Sequence, residues 1–498
     1  MSINHDYQKE KITDASIDCL LVAYEGINMS CLTKSIQTVC NVENIKLESV
    51  FNAAIAYLAT YINRKEITFD YVLSYENERD LLYEKLSKKI VIVALSTTFC
   101  NDIGTVHDMV QYVKKINPEV KVIVGGAFIA TILQQLSGRL LQILLREINA
   151  DIYINSFKGE EALAKSIIAV KNNLPLKDIN NIIYKGDQDY VITHLADDYI
   201  GLENNTVDWR LFKNHIGSVV SVRTAISCPY ACAYCSFHIK AGRYSNISVE
   251  AVERELDAIE SLGKVRTVNF IDDSFNLPRE RFKSILKMMI KKNYSFHWHS
   301  YLRCQNIDDE IVDLMKQSGC HGVIIGFESG NQSILDGMNK KLKVEDYVSA
   351  HKILQKYGIV TIGMFIIGFP GETIETVKDT IQFIEEVQPT FYHAHPWICD
   401  KTTDIWKKQK EYNIIANNKG WKHITMDSKT AAQLANEVFL TVKNSTFLNV
   451  FYMVVFQLLN QGFCIEDVKH ILDTYNEYVK EKMKNSSTEE CEEILSKF

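Results

Sequence analysis

The chain has 498 residues, 46% of them hydrophobic and 23% charged, with a formal net charge of −7. That is the composition of a globular protein too long for one ordinary core, and the acid excess argues against a nucleic-acid-binding surface, which needs a basic patch. The polar start MSINHDYQKEK and the lack of an apolar run of about 20 residues point away from secretion and from a membrane span. Of the 12 cysteines, those at 19, 31, 40, 100, 304, 320, 399, 464 and 491 are scattered and read as reduced, mostly buried thiols of a cytoplasmic protein.

Between Asp18 and Asn172, apolar β-rich runs (Cys19 to Ala23, Phe69 to Leu73, Ile90 to Leu95, Val120 to Val124, Ile152 to Ile154) alternate with helical stretches such as Val106, Met109, Val110 and Val113. The rhythm predicts an α/β domain over 1–172, a doubly wound parallel sheet that takes its ligand at the carboxyl ends of the strands. Small polar residues fall at those ends: Ser96, Thr97 and Thr98, then Gly125 and Gly126, then Gly159 and Glu160. Glycines admit a broad flat ligand and hydroxyls bond its rim, although each of these groups alone is also ordinary loop chemistry. Residues 173–215 read as a linker with a hairpin turning at Lys185-Gly186-Asp187.

Next comes Cys228-x3-Cys232-x2-Cys235. Three thiolates in one tight loop can hold three irons of a cubane and leave the fourth open. A zinc site would want a fourth ligand from a second knuckle, and His238 lies only three residues on; chance proximity is the bland alternative. Over 216–400 a β/α unit recurs about every thirty residues, which predicts a full or partial parallel barrel with its chemistry at the carboxyl ends of the strands. Polar residues stand at those ends: the cysteine loop, Asp272 and Asp273, Arg303, Glu328, Gly368 to Glu372, and His395. His393 and His395 share one face of the last strand, as pocket or acid–base groups or as buried structural histidines; His297 and His299 carry the same ambiguity. Arg303 and Glu328 could also pair with each other. Residues 401–498 read as a mainly helical C-terminal domain, with Ala431, Leu434, Ala435, Val438 and Phe439 as one apolar stripe.

The C-x3-C-x2-C spacing, with Tyr234 just before its third cysteine, resembles the signature of the radical SAM enzymes. The resemblance implies a 4Fe–4S cluster on Cys228, Cys232 and Cys235, whose open iron chelates S-adenosylmethionine and whose electron cleaves it to methionine and a 5′-deoxyadenosyl radical. It places Tyr234 and Phe237 beside that ligand, Asp272 and Asp273 at its amino group, Arg303 and Glu328 near its carboxylate and ribose, and Gly368 where adenine packs. A guanidinium fork suits a carboxylate. The strand-end residues Ser96 to Thr98, Gly125-Gly126 and Gly159-Glu160 resemble the cobalamin-binding domain of the cobalamin-dependent class. No histidine follows an aspartate at D-x-H spacing, so no cobalt ligand from that motif is expected. Trp421 and His423 resemble a substrate-facing feature of the group containing phosphinate P-methyltransferases and peptide C-methyltransferases. The implied activity is methyl transfer from methylcobalamin to a substrate radical on a small molecule or peptide, in natural-product or peptide biosynthesis, with an external one-electron reductant of the flavodoxin or ferredoxin type. Rearrangement or cyclisation without methyl transfer is the alternative, and a non-catalytic cobalamin or metal sensor the reading from another class.

Overall fold

The computed structural model describes residues 16–25, 28–196, 201–417 and 419–484. The chain divides into two units, Met1–Gly26 with Tyr57–Ile200 and Ile27–Ala56 with Gly201–Phe498.

In the first unit the five expected runs become parallel strands β1 (Ile17–Ala23), β2 (Phe69–Val72), β3 (Ile90–Ser96), β4 (Lys121–Gly125) and β5 (Ile152–Ile154). Two further strands, β6 (Ile182–Lys185) and β7 (Tyr190–Ile192), extend the sheet antiparallel, in the order β2-β1-β3-β4-β5-β6-β7. Helices cover it because their apolar stripes match its faces: Val106, Met109, Val110 and Val113 of the helix Ile103–Ile116 are buried against a core that includes Val93, Leu95 and Tyr153. Asp102 caps that helix by accepting the Thr105 N–H at 2.8 Å. The hairpin expected in the linker is therefore part of this sheet. Ile182 and Ile183 are buried along β5, and apolar residues there need a covered edge.

The second unit holds a second parallel sheet, ordered β14-β13-β12-β11-β10-β9-β8, of β8 (Val219–Val222), β9 (Thr267–Phe270), β10 (His297–Leu302), β11 (Cys320–Glu328), β12 (Val360–Ile367), β13 (Phe391–Pro396) and β14 (Thr446–Phe447). It is an open barrel, as expected. Two boundaries differ from the sequence reading. The C-terminal segment supplies β14 to this sheet, and its helix Ser428–Thr441 lies on β13, where Tyr392 donates its hydroxyl to the Val438 carbonyl at 3.2 Å; residues from 401 on form no separate domain. The helix Met29–Cys40 also belongs here. Ser35 and Tyr475 share a hydroxyl contact at 3.1 Å, and the Gln457 carboxamide takes the Glu48 N–H at 2.7 Å and gives to its carbonyl at 2.8 Å.

The concave face of the barrel is filled from below by Tyr452 and by the helix Met453–Asn460. Phe456 stacks on His299 at 3.8 Å between centroids, and Asn460 donates to the Thr267 hydroxyl at 2.6 Å. His299 is fully buried and neither ring nitrogen has a partner, and burial pushes its pKa down to about 3. It is thus a neutral core group, while His297 stacks on His321 at 3.6 Å near the strand beginnings. The helix approaches β11 at Gly322, where a Cβ would stand 2.8 Å from both Phe456 Cε1 and the Val360 carbonyl. Gly322→Ala is expected to lower stability by about 1–3 kcal/mol through overpacking, read by denaturant unfolding.

Candidate active site

A cavity of about 210 Å³ opens at the carboxyl ends of the barrel strands, and Cys228, Cys232, Cys235, Tyr234, Asp273, Ser274, Arg303, Glu328, Lys340, Tyr301, Ile324 and Met364 are among the residues that line it. The three thiols reach it from one loop, entered through Ser227 at φ 69°. The loop is held on both sides at one residue: Ala233 donates its N–H to the Met338 carbonyl at 2.8 Å and accepts from the Ile405 N–H at 2.9 Å. Cys228 Sγ lies 3.6 Å from the Ser274 hydroxyl, Arg303 Nη1 is 3.8 Å from Cys232 Sγ, and Cys235 Sγ accepts the Phe237 N–H at 3.4 Å. Burial pushes the Cys235 thiol up to about 11, a proton it gives up outright only to a coordinating cation. Among the described residues no three Cys, His, Asp or Glu side chains gather as ligands of one metal ion. The thiolates bound to three different irons of a cubane stand farther apart than the ligands of a single zinc, so three thiols arranged around one cavity fit the cluster.

The two aspartates after β9 part company. Asp273 lines the cavity, and burial, then the neighbouring Asp272 charge, raises its pKa to about 7. Asp272 turns the other way: it is buried and accepts the N–H groups of Thr224 (2.7 Å) and Ala225 (2.9 Å) and the Thr224 hydroxyl. Burial raises its pKa. Expected at the ligand, Asp272 instead anchors the root of the cysteine loop.

Glu328 sits at φ 67° where the register between β11 and β12 slips. Its carboxylate pairs with Lys340 at 2.7 Å and accepts the Tyr234 hydroxyl at 2.7 Å, and Lys340 reaches that hydroxyl at 3.1 Å. Burial first, then the Glu328 charge, pushes the Tyr234 pKa well up, so the phenol stays a donor. The partner of Glu328 is therefore Lys340, which sequence reasoning passed over. Arg303 makes other contacts: the Lys340 carbonyl, Gln305 Oε1 at 3.2 Å, and the face of Tyr230, with Cζ 3.7 Å from the ring centroid.

In the first unit a smaller crevice of about 40 Å³ lies at the ends of β3, β4 and β5, lined by Leu58, Ala94, Leu95, Ser96, Ile123, Gly125, Gly126, Ile154, Gly159 and Leu163. Ser96 and the three glycines stand where the sequence placed them. Gly126, at φ 106°, is required: a Cβ would stand 2.8 Å from the Thr97 nitrogen. Thr97, expected to face the ligand, is structural instead: its buried hydroxyl donates to the Gly125 carbonyl at 2.8 Å and accepts the Ile129 N–H at 3.1 Å, tying β3 to β4. Thr98 contacts the Ser96 hydroxyl at 3.2 Å and Glu160 is buried in the first turn of the helix Glu160–Lys171; neither lines the crevice. Apart from Ser96, the lining is glycine backbone and aliphatic side chains, which suit the close seating of a flat macrocycle.

Residues 223–384 match the radical SAM superfamily. The barrel is a radical SAM domain. Among curated proteins the chain is 26% identical over 356 residues to an uncharacterized methyltransferase of Pyrococcus horikoshii, covering 70% of this chain and 74% of that one. It is 25% identical over 358 residues to the anaerobic magnesium-protoporphyrin IX monomethyl ester cyclase of Rubrivivax gelatinosus, covering 68% and 62%. Among solved structures, the radical S-adenosylmethionine methyltransferase TsrM of Kitasatospora setae, with cobalamin and a 4Fe–4S cluster bound, has the same fold at TM-score 0.65 and 16% identity, over 81% of this chain and 76% of that one.

Several residues expected at S-adenosylmethionine (Gly368, Phe237) or at the substrate (Trp421, His423, His393, His395) lie outside the cavity lining. Gly368, at φ 89°, donates its N–H to the Glu372 carboxylate and accepts from His423 Nε2 at 3.0 Å. Trp421 donates to the Trp397 carbonyl at 2.8 Å and stacks on His423, rings 5.2 Å apart. A Cβ on Gly368 would stand 2.8 Å from the Trp421 ring, so Trp421 and His423 brace the end of β12 and stand outside the lining of the barrel cavity. His393 is tied to the Leu448 carbonyl at 2.8 Å, with burial pushing its pKa to about 4, and His395 to that of Pro396 at 3.0 Å; both stand outside the cavity lining, as does the exposed Phe237.

Lys340→Met, which leaves Glu328 without its counter-ion, is expected to lose about 3–5 kcal/mol of stability, and Glu328→Gln in the same protein should restore part of it in a double-mutant unfolding cycle. Burial raises Glu372 to about 8, above the ordinary carboxylate value near 4.3. Its folded state holds the proton longer than the unfolded chain, so the stability present below about pH 4.3 is lost as pH rises through about 8. Glu372→Gln keeps the acceptor for Gly368 and removes the titration, so the thermal midpoint of the variant should gain on that of the native protein between pH 5 and 8; parallel curves would refute this.

Proposed function

We propose that this chain is a cobalamin-dependent radical SAM methyltransferase. The observation that carries the reading is the set of three thiols from one pinned loop on a single cavity at the mouth of the barrel. Cys228, Cys232 and Cys235 would hold three irons of a 4Fe–4S cluster. When bound, the cluster and S-adenosylmethionine supply the 5′-deoxyadenosyl radical, and methylcobalamin supplies the methyl group. Asp273 stands ready for a cationic amino group, and the guanidinium of Arg303, stacked on Tyr230, for a carboxylate. Glu328, held by Lys340 and Tyr234, offers its second oxygen to a hydroxyl. Tyr301, Ile324 and Met364 form a largely apolar floor that keeps water from a reactive radical.

Cobalamin would lie against the crevice at the ends of β3 to β5, where Ser96 and the side-chain-free backbone of Gly125, Gly126 and Gly159 permit the close approach of a flat ring. The likeness to the TsrM structure, which holds cobalamin, supports that cofactor, and the methyltransferase relative supports methyl transfer. The substrate is a small molecule or peptide, and an external low-potential carrier provides the electron. An oxygen-sensitive cluster suits the cytoplasm. The second reading, cyclisation or rearrangement without methyl transfer, is supported by the likeness to the cyclase.

Anaerobic protein reconstituted with iron and sulfide tests the proposal. It should bind about four irons per chain, as a cubane requires, and release 5′-deoxyadenosine from S-adenosylmethionine under dithionite, whereas Cys232→Ala should fall to the no-protein background. A native protein that binds zinc alone would end the reading, and deoxyadenosine formed with no methyl label in cobalamin or product would favour cyclisation.

A further inference from the structure

The outer side of the cysteine loop carries a feature that catalysis inside the cavity does not use. Pro229 and Ala231, between the first two cysteines, are exposed. Beside them a strap of residues 400–410 crosses the loop: Ile405 donates its N–H to the Ala233 carbonyl at 2.9 Å, Asp400 pairs with Lys240 at 2.7 Å and Asp404 with His238 at 3.5 Å. The strap is thus bonded to the residue that immediately follows Cys232 in sequence. Its outward face is cationic. Lys401, Lys407, Lys408 and Lys410 are all exposed, and Asp404 is the one acid from 401 to 410. From 401 to 422 there are six lysines against Asp404 and Glu411, in a chain whose net charge is −7. Lys407 leans on Asp404 and Lys401 lies 5.5 Å over the Trp406 ring, while Lys408 and Lys410 have no ion pair among the described residues. Exposed pairs of this kind contribute little to stability, and a row of like charges repels itself. What such a row does well is attract an oppositely charged surface and orient it.

We propose that this lysine strap is the docking surface of an acidic one-electron carrier protein, seated so that its electron enters through the cysteine loop. The inference rests on the cluster reading given above. In the transfer the carrier loses one electron and the oxidised cluster gains it; no bond forms or breaks. Complementary charge raises the encounter rate, and salt should cancel the effect, because exposed charges are screened over about 8–10 Å at ordinary ionic strength.

The test uses the reconstituted full chain and its Lys407→Glu/Lys408→Glu/Lys410→Glu variant, with an acidic flavodoxin as probe. Dithionite should reduce the cluster to the same extent in both proteins, as read by electron paramagnetic resonance. Affinity for oxidised flavodoxin, measured by biolayer interferometry, and the rate of cluster reduction by reduced flavodoxin, measured by stopped flow, should each fall about tenfold in the variant at low salt, and the gap should close at high salt. Lys408→Ser/Lys410→Ser, which removes charge without reversing it, should lie between. Affinity does not depend on the cluster, so unchanged flavodoxin binding in the variants overturns the strap. Native protein whose iron centre takes no electron from dithionite overturns the cluster reading instead.

Discussion

One buried carboxylate organises the site. Asp272 accepts two successive backbone N–H groups, those of Thr224 and Ala225, together with the Thr224 hydroxyl. Those donors leave the end of β8 without a ladder partner, and a buried donor left unpaired costs about 1–3 kcal/mol. Satisfying them at one point makes the chain bend where the cysteine loop begins. Ala233 then fixes the far side of the loop between Met338 and Ile405. The three thiols face one cavity because the backbone bearing them is bonded at its root and across its middle, before any ligand arrives.

The same arrangement explains what was legible in the sequence. The five parallel strands of the first sheet and the six main strands of the barrel were readable because each is a short apolar run closed by polar residues, a local pattern. The cysteine spacing is local too. Which of Asp272 and Asp273 faces the cavity was not readable: adjacent residues at a strand end point to opposite sides, and the choice depends on the register with β8. Lys340 sits in Asn339-Lys340-Lys341-Leu342-Lys343, where nothing local marks one of three lysines as buried. Its partner is set by how that loop folds back over Gly326, where a Cβ would stand 3.1 Å from Lys340 Nζ. The place of Met29–Cys40 was hidden for a similar reason, since the helix Ile465–Lys484 against which it packs lies more than 400 residues on.

Family resemblance pointed to the strand ends where the cavity opens, but it put more side chains there than line the cavity. Trp421, His423 and Glu372 all meet at Gly368, two of them through its N–H and carbonyl. A glycine at φ 89° packed that tightly can be held in only one way. The C-terminal segment therefore acts on the barrel as a brace, and its identity constrains the mouth without lining it. The histidines of β13 follow the same logic: each spends a ring nitrogen on a backbone carbonyl.

Charge is handled consistently across the site. A carboxylate taken out of water is costly unless paired, and the four acids around the site meet this in three ways. Asp272 is satisfied by backbone donors, Glu372 and Asp273 have their pKa values raised toward neutrality, and Glu328 keeps Lys340. Only Glu328 combines a charged partner, a phenol donor and a left-handed backbone that turns it inward. Strain of that kind costs about 1–3 kcal/mol and persists only where the surroundings enforce it. Here the enforcing contacts are Tyr234, next to the third cysteine, and Lys340, whose own carbonyl is held by Arg303. The loop of thiols, the guanidinium and the inward carboxylate thus form one connected network, so a ligand that engages any of them meets the others already in place.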